Sequence, residues 1–243
     1  LAQHPDLLWQ QLYNRLQWQG ESVEQLLAPE LECRSAPGCK PWLRTRTPFR
    51  ESEALLRTLS GHTDDVTACA ISPDGKFIVS ASQDNTCKIW DAATGTERAT
   101  LRGHTKRVSA CVISPDGKFI ISASHDKTCK IWDAVTGIER TTLSGHTNGV
   151  RSCEISLDGK FIVSTSQDNT CKIWDVATGT ERISLKGHTD WVTACAISSS
   201  GDFVVSASND KTCKIWNTET GTLRATLKHT NWVRDCKISP NGD

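Results

Sequence analysis

The sequence predicts an all-β fold. It reads as a β-propeller segment of four full 42-residue repeats plus a partial fifth, behind a short α-helical N-terminal extension. Three observations carry this. Gly-His-Thr recurs at 61–63, 103–105, 145–147 and 187–189, and Cys-Lys-Ile-Trp at 87–90, 129–132, 171–174 and 213–216, each step being 42 residues. Between these markers every unit alternates β-compatible runs with turn residues. A fifth unit opens at His229, one residue early because its Gly is lost, and breaks off at Asp243. Self-similarity at such a period marks stacked repeats.

The elements follow in order. In residues 1–53, Asp6 caps a helix whose apolar face is Leu8, Leu12 and Leu16, with Trp9 and Tyr13 beside them. Gly20 ends it. Ser22-Val23-Glu24-Gln25 has capping-box spacing for a second short helix, stopped near Pro29. Pro37, Gly38, Pro41 and Pro48 mark an irregular linker. The repeats occupy 54–243, where residues 55–59 supply an outer strand ahead of the first unit. In that unit, 66–72 is a small-residue strand, Pro73-Asp74-Gly75 a turn, and 77–82 a second strand. Gln83-Asp84-Asn85 turns into a third strand at 86–90, and Ala93-Thr94-Gly95 into a fourth at 97–101. Four short strands per unit match one propeller blade. Residues 233–239 supply one further inner strand. The whole makes about 4.5 units, whereas a seven-bladed ring at this period takes about 294 residues, so an open arc or closure by another chain is expected.

The spacing of Gly-His, turn Asp and Trp-Asp resembles the WD-repeat family over about residues 54–243. Trp216-Asn217 departs from the Trp-Asp of the other units. One set of residues recurs with the repeats: His62, Ser80, Asp84 and Trp90; His104, Ser122, Asp126 and Trp132; His146, Ser164, Asp168 and Trp174; His188, Ser206, Asp210 and Trp216. Ser, His and Asp together invite a hydrolase triad. Against that, Trp is always in the set, the set occurs in every unit, and no nucleophile elbow or oxyanion-hole signature accompanies it. In the family these positions form a buried chain, Trp to Ser, Ser to His and His to Asp. The resemblance implies structural hydrogen-bond tetrads and no catalytic residue. Residues 1–53 are similar to the segment that joins helical regions to propellers in bacterial STAND-class ATPases, those with NB-ARC or NACHT modules. The nucleotide-binding module itself is not in this chain.

Composition narrows the function. Lys+Arg 28 against Asp+Glu 28 removes the basic footprint of a nucleic-acid binder and gives no reason to expect a membrane surface as partner. No apolar run of about 18 residues exists. The sequence begins at Leu1 and holds no Met, and reads as a piece of a longer protein. Asp-Gly-Lys-Phe at 74–77 lacks the rest of a phosphate-binding loop. Cys69, Cys111, Cys153, Cys195 and Cys236 share one strand position, and Cys87, Cys129, Cys171 and Cys213 another. Both read as buried, unbridged packing thiols, without Cys-x-x-Cys or paired His for a metal. Cys33 and Cys39 lie in the linker. An uneven count of 11 Cys without a secretory framework favours a reducing, cytoplasmic setting. Lys88, Lys130, Lys172 and Lys214 read as a solvated feature. No cofactor and no metal is expected.

The differences between near-identical units carry the rest. The third residue after the His is Asp65, Arg107, Gly149, Trp191 and Trp232; the fifth is Thr67, Ser109, Arg151, Thr193 and Arg234; the residue before the turn Asp is Gln83, His125, Gln167 and Asn209. Drift at solvated loop ends would give such variety. In the family, however, the matching positions open onto the face around the central channel that meets partners. Two Trp at equivalent places, with Arg nearby, fit interface anchors. The expected function is a non-catalytic scaffold for protein interaction or ligand sensing, in a larger bacterial signalling protein, with an acidic or phosphorylated segment as ligand. The remaining blades would come from the same longer chain or another one. The alternative is the C-terminal sensor piece of a STAND-class ATPase switch.

Overall fold

The computed structural model describes Pro29 and residues 57–239. The chain divides into two compact units, Leu1–Thr58 and Leu59–Asp243. The helices expected in 1–53, together with Cys33 and Cys39, lie outside the described residues.

Among the described residues sixteen strands form four antiparallel sheets. Blade 1 is β1 (Val66–Ile71), β2 (Phe77–Ser82), β3 (Cys87–Asp91) and β4 (Glu97–Leu101). Blade 2 is β5 (Val108–Ile113), β6 (Phe119–Ser124), β7 (Thr128–Asp133) and β8 (Glu139–Ser144). Blade 3 is β9 (Val150–Ile155), β10 (Phe161–Ser166), β11 (Thr170–Asp175) and β12 (Glu181–Lys186). Blade 4 is β13 (Val192–Ile197), β14 (Phe203–Ser208), β15 (Thr212–Asn217) and β16 (Leu223–Lys228). Each sheet follows chain order, as short hairpin turns require. One tight turn holds a left-handed residue, Asn85 at φ 69° and Lys127 at 77° among them.

A single blade cannot bury both faces of its sheet, so the core sits in the seams. Phe77, Val79, Ile89 and Leu101 of blade 1 pack against Val108, Cys111, Ile120 and Trp132 of blade 2. The pattern repeats at the next two seams. Burying a Val or Leu is worth about 1.5–3 kcal/mol, and every interior seam repeats that gain. The Gly of each Gly-His pair has a packing reason. A Cβ on Gly103 would lie 3.0 Å from Glu139 Oε2 and 3.2 Å from Trp132 Cη2.

Among the described residues the first and last blades each keep a bare side. Val108, Val150 and Val192 are fully buried, yet Val66 is 56% exposed, because no described blade covers β1. Leu101, Leu143 and Leu185 are buried, whereas Leu227 is 49% exposed. The thiol expectation is corrected at both ends: Cys69 is exposed and Cys236 half-buried, while Cys111, Cys153 and Cys195 are buried. The fifth unit packs Val233 and Cys236 on blade 4 but forms no strand within the described residues. Val233 N–H donates to the Ser208 carbonyl at 3.1 Å, and among the described residues no second strand of that unit follows it. Of the outer strand expected at 55–59, residues 57–59 are described and form no strand.

Candidate functional site

In each of the four full units the four recurring residues close one chain of hydrogen bonds. His62 Nδ1 lies 2.7 Å from Asp84 Oδ2, its Nε2 2.7 Å from Ser80 Oγ, and Trp90 Nε1 2.8 Å from the same Oγ. Distances of 2.7–2.8 Å repeat at His104, His146 and His188. One proton assignment satisfies all the members. The indole N–H donates to Ser, the Ser hydroxyl donates to Nε2, and Nδ1–H donates to the carboxylate. The turn Asp also accepts from backbone and hydroxyl donors, as Asp84 does from Thr63 N–H and from Thr86 N–H and Oγ1. Burial alone would raise these carboxyls. The hydrogen bonds outweigh it and hold Asp84, Asp126, Asp168 and Asp210 below the usual carboxylate range. Burial, partly offset by Asp210, lowers His188. Ser122, Ser164 and Ser206 are fully buried and already accept an indole N–H, so none is presented to a substrate.

The Lys expectation is corrected. Lys88, Lys130 and Lys172 are buried and paired, with Nζ 2.6, 2.8 and 2.6 Å from Glu97, Glu139 and Glu181. Blade 4 has Leu223 in place of that Glu, and Lys214 is left with Thr226 Oγ1 at 3.2 Å. Asn217 is explained in the same blade. Its Oδ1 still accepts the turn donors Glu219 N–H and Thr220 N–H. What it lacks is the second carboxylate oxygen that Asp91 gives Arg98 at 2.6 Å, and Arg224 reaches the Asp202 carbonyl instead.

The variable residues sort into two groups. Each residue before the turn Asp donates its backbone N–H to the third residue after the His: Gln83 to Asp65, His125 to Arg107, Gln167 to Gly149 and Asn209 to Trp191. These pairs therefore sit together at the same end of every blade. Gln83 Nε2 also donates to Asp65 Oδ2 at 3.1 Å. Trp191 is 43% and Trp232 56% exposed, and Arg234 lies 5.9 Å over the Trp232 ring.

The other group divides. Thr67, Ser109, Arg151 and Thr193 occupy a β-bulge between the first two strands of their blades. Thr67, Ser109 and Thr193 spend their hydroxyls on packing. Each donates to its own blade's second strand, at the carbonyl of Ala81, Ala123 or Ala207. Each also reaches the next unit at 2.7 Å, at the carbonyl of Val108, Val150 or Val233. The structure thus gives Thr67, Ser109 and Thr193 a seam role that the reading of a packing-free position missed. Gly149 is buried, unlike its exposed counterparts Asp65, Arg107 and Trp191. At the far end of the inner strands, Ile71, Val112, Ile113, Ile155, Leu157, Ile197 and Glu154 line a cavity of about 520 Å³. Glu154 pairs there with Lys237 at 3.3 Å. Among the described residues no group of three His, Cys, Asp or Glu side chains could hold a metal, and no helix is long and apolar enough to cross a membrane.

Comparison with known proteins agrees with this geometry. Local matches include the Ribosome biogenesis protein BOP1 homolog of Drosophila grimshawi, 46% identical over 55 residues, 23% of this chain and 7% of that protein. The Target of rapamycin complex subunit wat1 of Schizosaccharomyces pombe is 37% identical over 65 residues, 27% of this chain and 20% of that protein. The Vegetative incompatibility protein HET-E-1 of Podospora anserina is 46% identical over 56 residues, 23% of this chain and 4% of that protein. The chain thus matches a small part of each, and these relatives lend no support to the bacterial setting expected from residues 1–53. The WD domain, G-beta repeat model matches residues 53–91, 95–133, 137–175 and 179–217. With four such repeats covering more than half of its length, each built as a four-stranded blade, the chain belongs to the WD40 family.

Proposed function

We propose that this chain is a non-catalytic scaffold that docks a protein or peptide segment, acidic in character, on the end of the blades where the inner strands begin. One observation carries the reading. Positions at which the units differ are hydrogen-bonded neighbours at that end, the exposed Trp191 and Arg107 among them, and the matching Trp232 of the fifth unit is exposed with Arg234 over its ring. Exposed aromatics beside Arg are the usual anchors of an interface. The relay leaves no free nucleophile in the Ser–His–Asp sets, which supports a role without catalysis. The reading extends to the two open ends, whose bare Val66 and Leu227 faces fit further blades from the same protein or another chain. It places the chain in the cytoplasm, where unbridged thiols persist.

The test uses peptides selected from a displayed library on the whole chain. Trp191→Ala and Trp232→Ala together should weaken the selected peptides by tenfold or more. Lys76→Ala, in a turn at the other end of blade 1, should leave them unchanged. Peptides that bind the double Trp variant as well as the parent would sink the reading.

A further inference from the structure

Blade 3 breaks the pattern of its neighbours at one seam. Where Thr67, Ser109 and Thr193 stitch their blade to the next, blade 3 has Arg151. The Arg151 side chain makes no hydrogen bond and no ion pair among the described residues. Its guanidinium is half-buried, and burial, then the like charges of Arg107 and Arg234, hold it below its ordinary value. The residue on the adjacent strand changes too. Ala81, Ala123 and Ala207 give way to Thr165, whose buried hydroxyl has no partner.

His125 of blade 2 lies against Gly149, two residues before Arg151, at the seam of blades 2 and 3. A Cβ on Gly149 would stand 2.9 Å from its Nδ1 and 3.0 Å from Gln167 Oε1, so only a glycine lets the imidazole settle there. The ring gives up a hydrogen bond to do so, since its Nε2 is buried and unpartnered. Burial, then Arg107, Arg151 and Lys106, push the imidazole down to about 4. His125, Arg107 and Lys106 thus stand at the seam of blades 2 and 3, and Arg151, two residues past Gly149, stands at the adjoining seam of blades 3 and 4, where a stitch used elsewhere has been given up. Arg234 is occupied by the Trp232 ring, which leaves Arg107 and Arg151 as two free forks.

We propose that Arg107 and Arg151, with His125 as the positioning residue against them, form a clamp for a phosphate monoester carried on a partner protein. This rests on the docking reading above and names its ligand chemistry. A carboxylate is filled by one guanidinium fork. Two forks match the three terminal oxygens and near-double charge of a phosphoryl group.

The experiment titrates the whole chain, at fixed ionic strength, with inorganic phosphate and with a short phosphoserine peptide and its glutamate counterpart. The phosphoserine peptide should bind at least tenfold more tightly than the glutamate one, and the His125 titration midpoint should rise from about 4 when either phosphate form is bound. Arg107→Gln and Arg151→Thr should each erase that preference. Arg151→Thr restores the hydroxyl seen in the other blades, so it should melt no lower than the parent, and its loss of binding cannot be a loss of fold. Equal binding of the two peptides, or an unaffected Arg151→Thr, overturns the clamp. Tighter binding of a single-stranded RNA or of vesicles bearing phosphoinositide overturns the protein-borne source. If the Trp substitutions abolish library peptides while phosphate is ignored, the clamp fails and the docking reading stands. If phosphate binds while library peptides ignore those substitutions, the docking reading fails alone.

Discussion

Thr67 of blade 1 donates its hydroxyl proton to the Val108 carbonyl of blade 2 across 2.7 Å. The bulge at that point turns the side chain toward the next blade, so one hydroxyl serves two sheets. Ser109 and Thr193 do the same at their seams. Ser109→Ala should cost about 0.5–1.5 kcal/mol, the net worth of an ordinary hydrogen bond. The loss belongs at the seam of blades 2 and 3. Amide exchange should quicken there first, and uniform quickening across all four blades would count against the stitch.

The buried relay should be costlier to break. Ser122→Ala removes the acceptor of Trp132 N–H and the donor to His104 Nε2 together. Leaving buried polar groups unpaired costs about 1–3 kcal/mol. The urea midpoint should fall accordingly, and the Trp132 indole proton should exchange faster while the other three stay protected. A midpoint within error of the parent would mean that the chain of bonds is not formed.

The repeat was legible because its markers survive in fixed register, with His62 to Trp90 and His104 to Trp132 spaced alike. Their roles followed from what an indole, a hydroxyl and an imidazole need when buried. The lysines were misread although a signal was present. Glu97, Glu139 and Glu181 each follow their Lys by nine residues, and Leu223 breaks the pair where Lys214 is less buried. The role of Thr67 was not legible. Its acceptor is a backbone carbonyl 41 residues on, and a carbonyl leaves no mark in side-chain identity. Cys69 was misjudged because its strand is like the others and differs only in having no neighbouring blade over it among the described residues.

That neighbour sets the thiol chemistry. Burial pushes the Cys111 and Cys236 thiols up to about 12 and raises Cys87, Cys153 and Cys195 further. Thiolate is the reactive form, so these groups should be slow toward a maleimide at pH 7.5. Cys69 is exposed and should label first among the described cysteines. Cys69→Ser should remove that fast phase. If Cys153 or Cys195 labels as quickly as Cys69 in the folded chain, the seams are not closed in solution.

Stability should fall with acid in two separate windows. His125 is held down to about 4 by burial and by Arg107, Arg151 and Lys106, and burial lowers His188 as well. A base with a lowered folded value takes up its proton more readily in the unfolded chain. Its contribution is therefore complete above the unfolded value of about 6.5 and is lost as pH falls from there toward the folded value. Asp84, Asp126, Asp168 and Asp210 are acids with lowered folded values. Their contribution is complete above the unfolded value of about 3.9 and drains away only below it. Urea midpoints should thus decline gently between about pH 6.5 and 4 and steeply below about pH 4. His125→Gln should flatten the upper limb and leave the lower one, whereas Asp126→Asn should lower the midpoint at pH 7 and shrink the steep limb. A profile flat from pH 7 to 4 and unchanged by His125→Gln would show that this imidazole is not held between the arginines in solution.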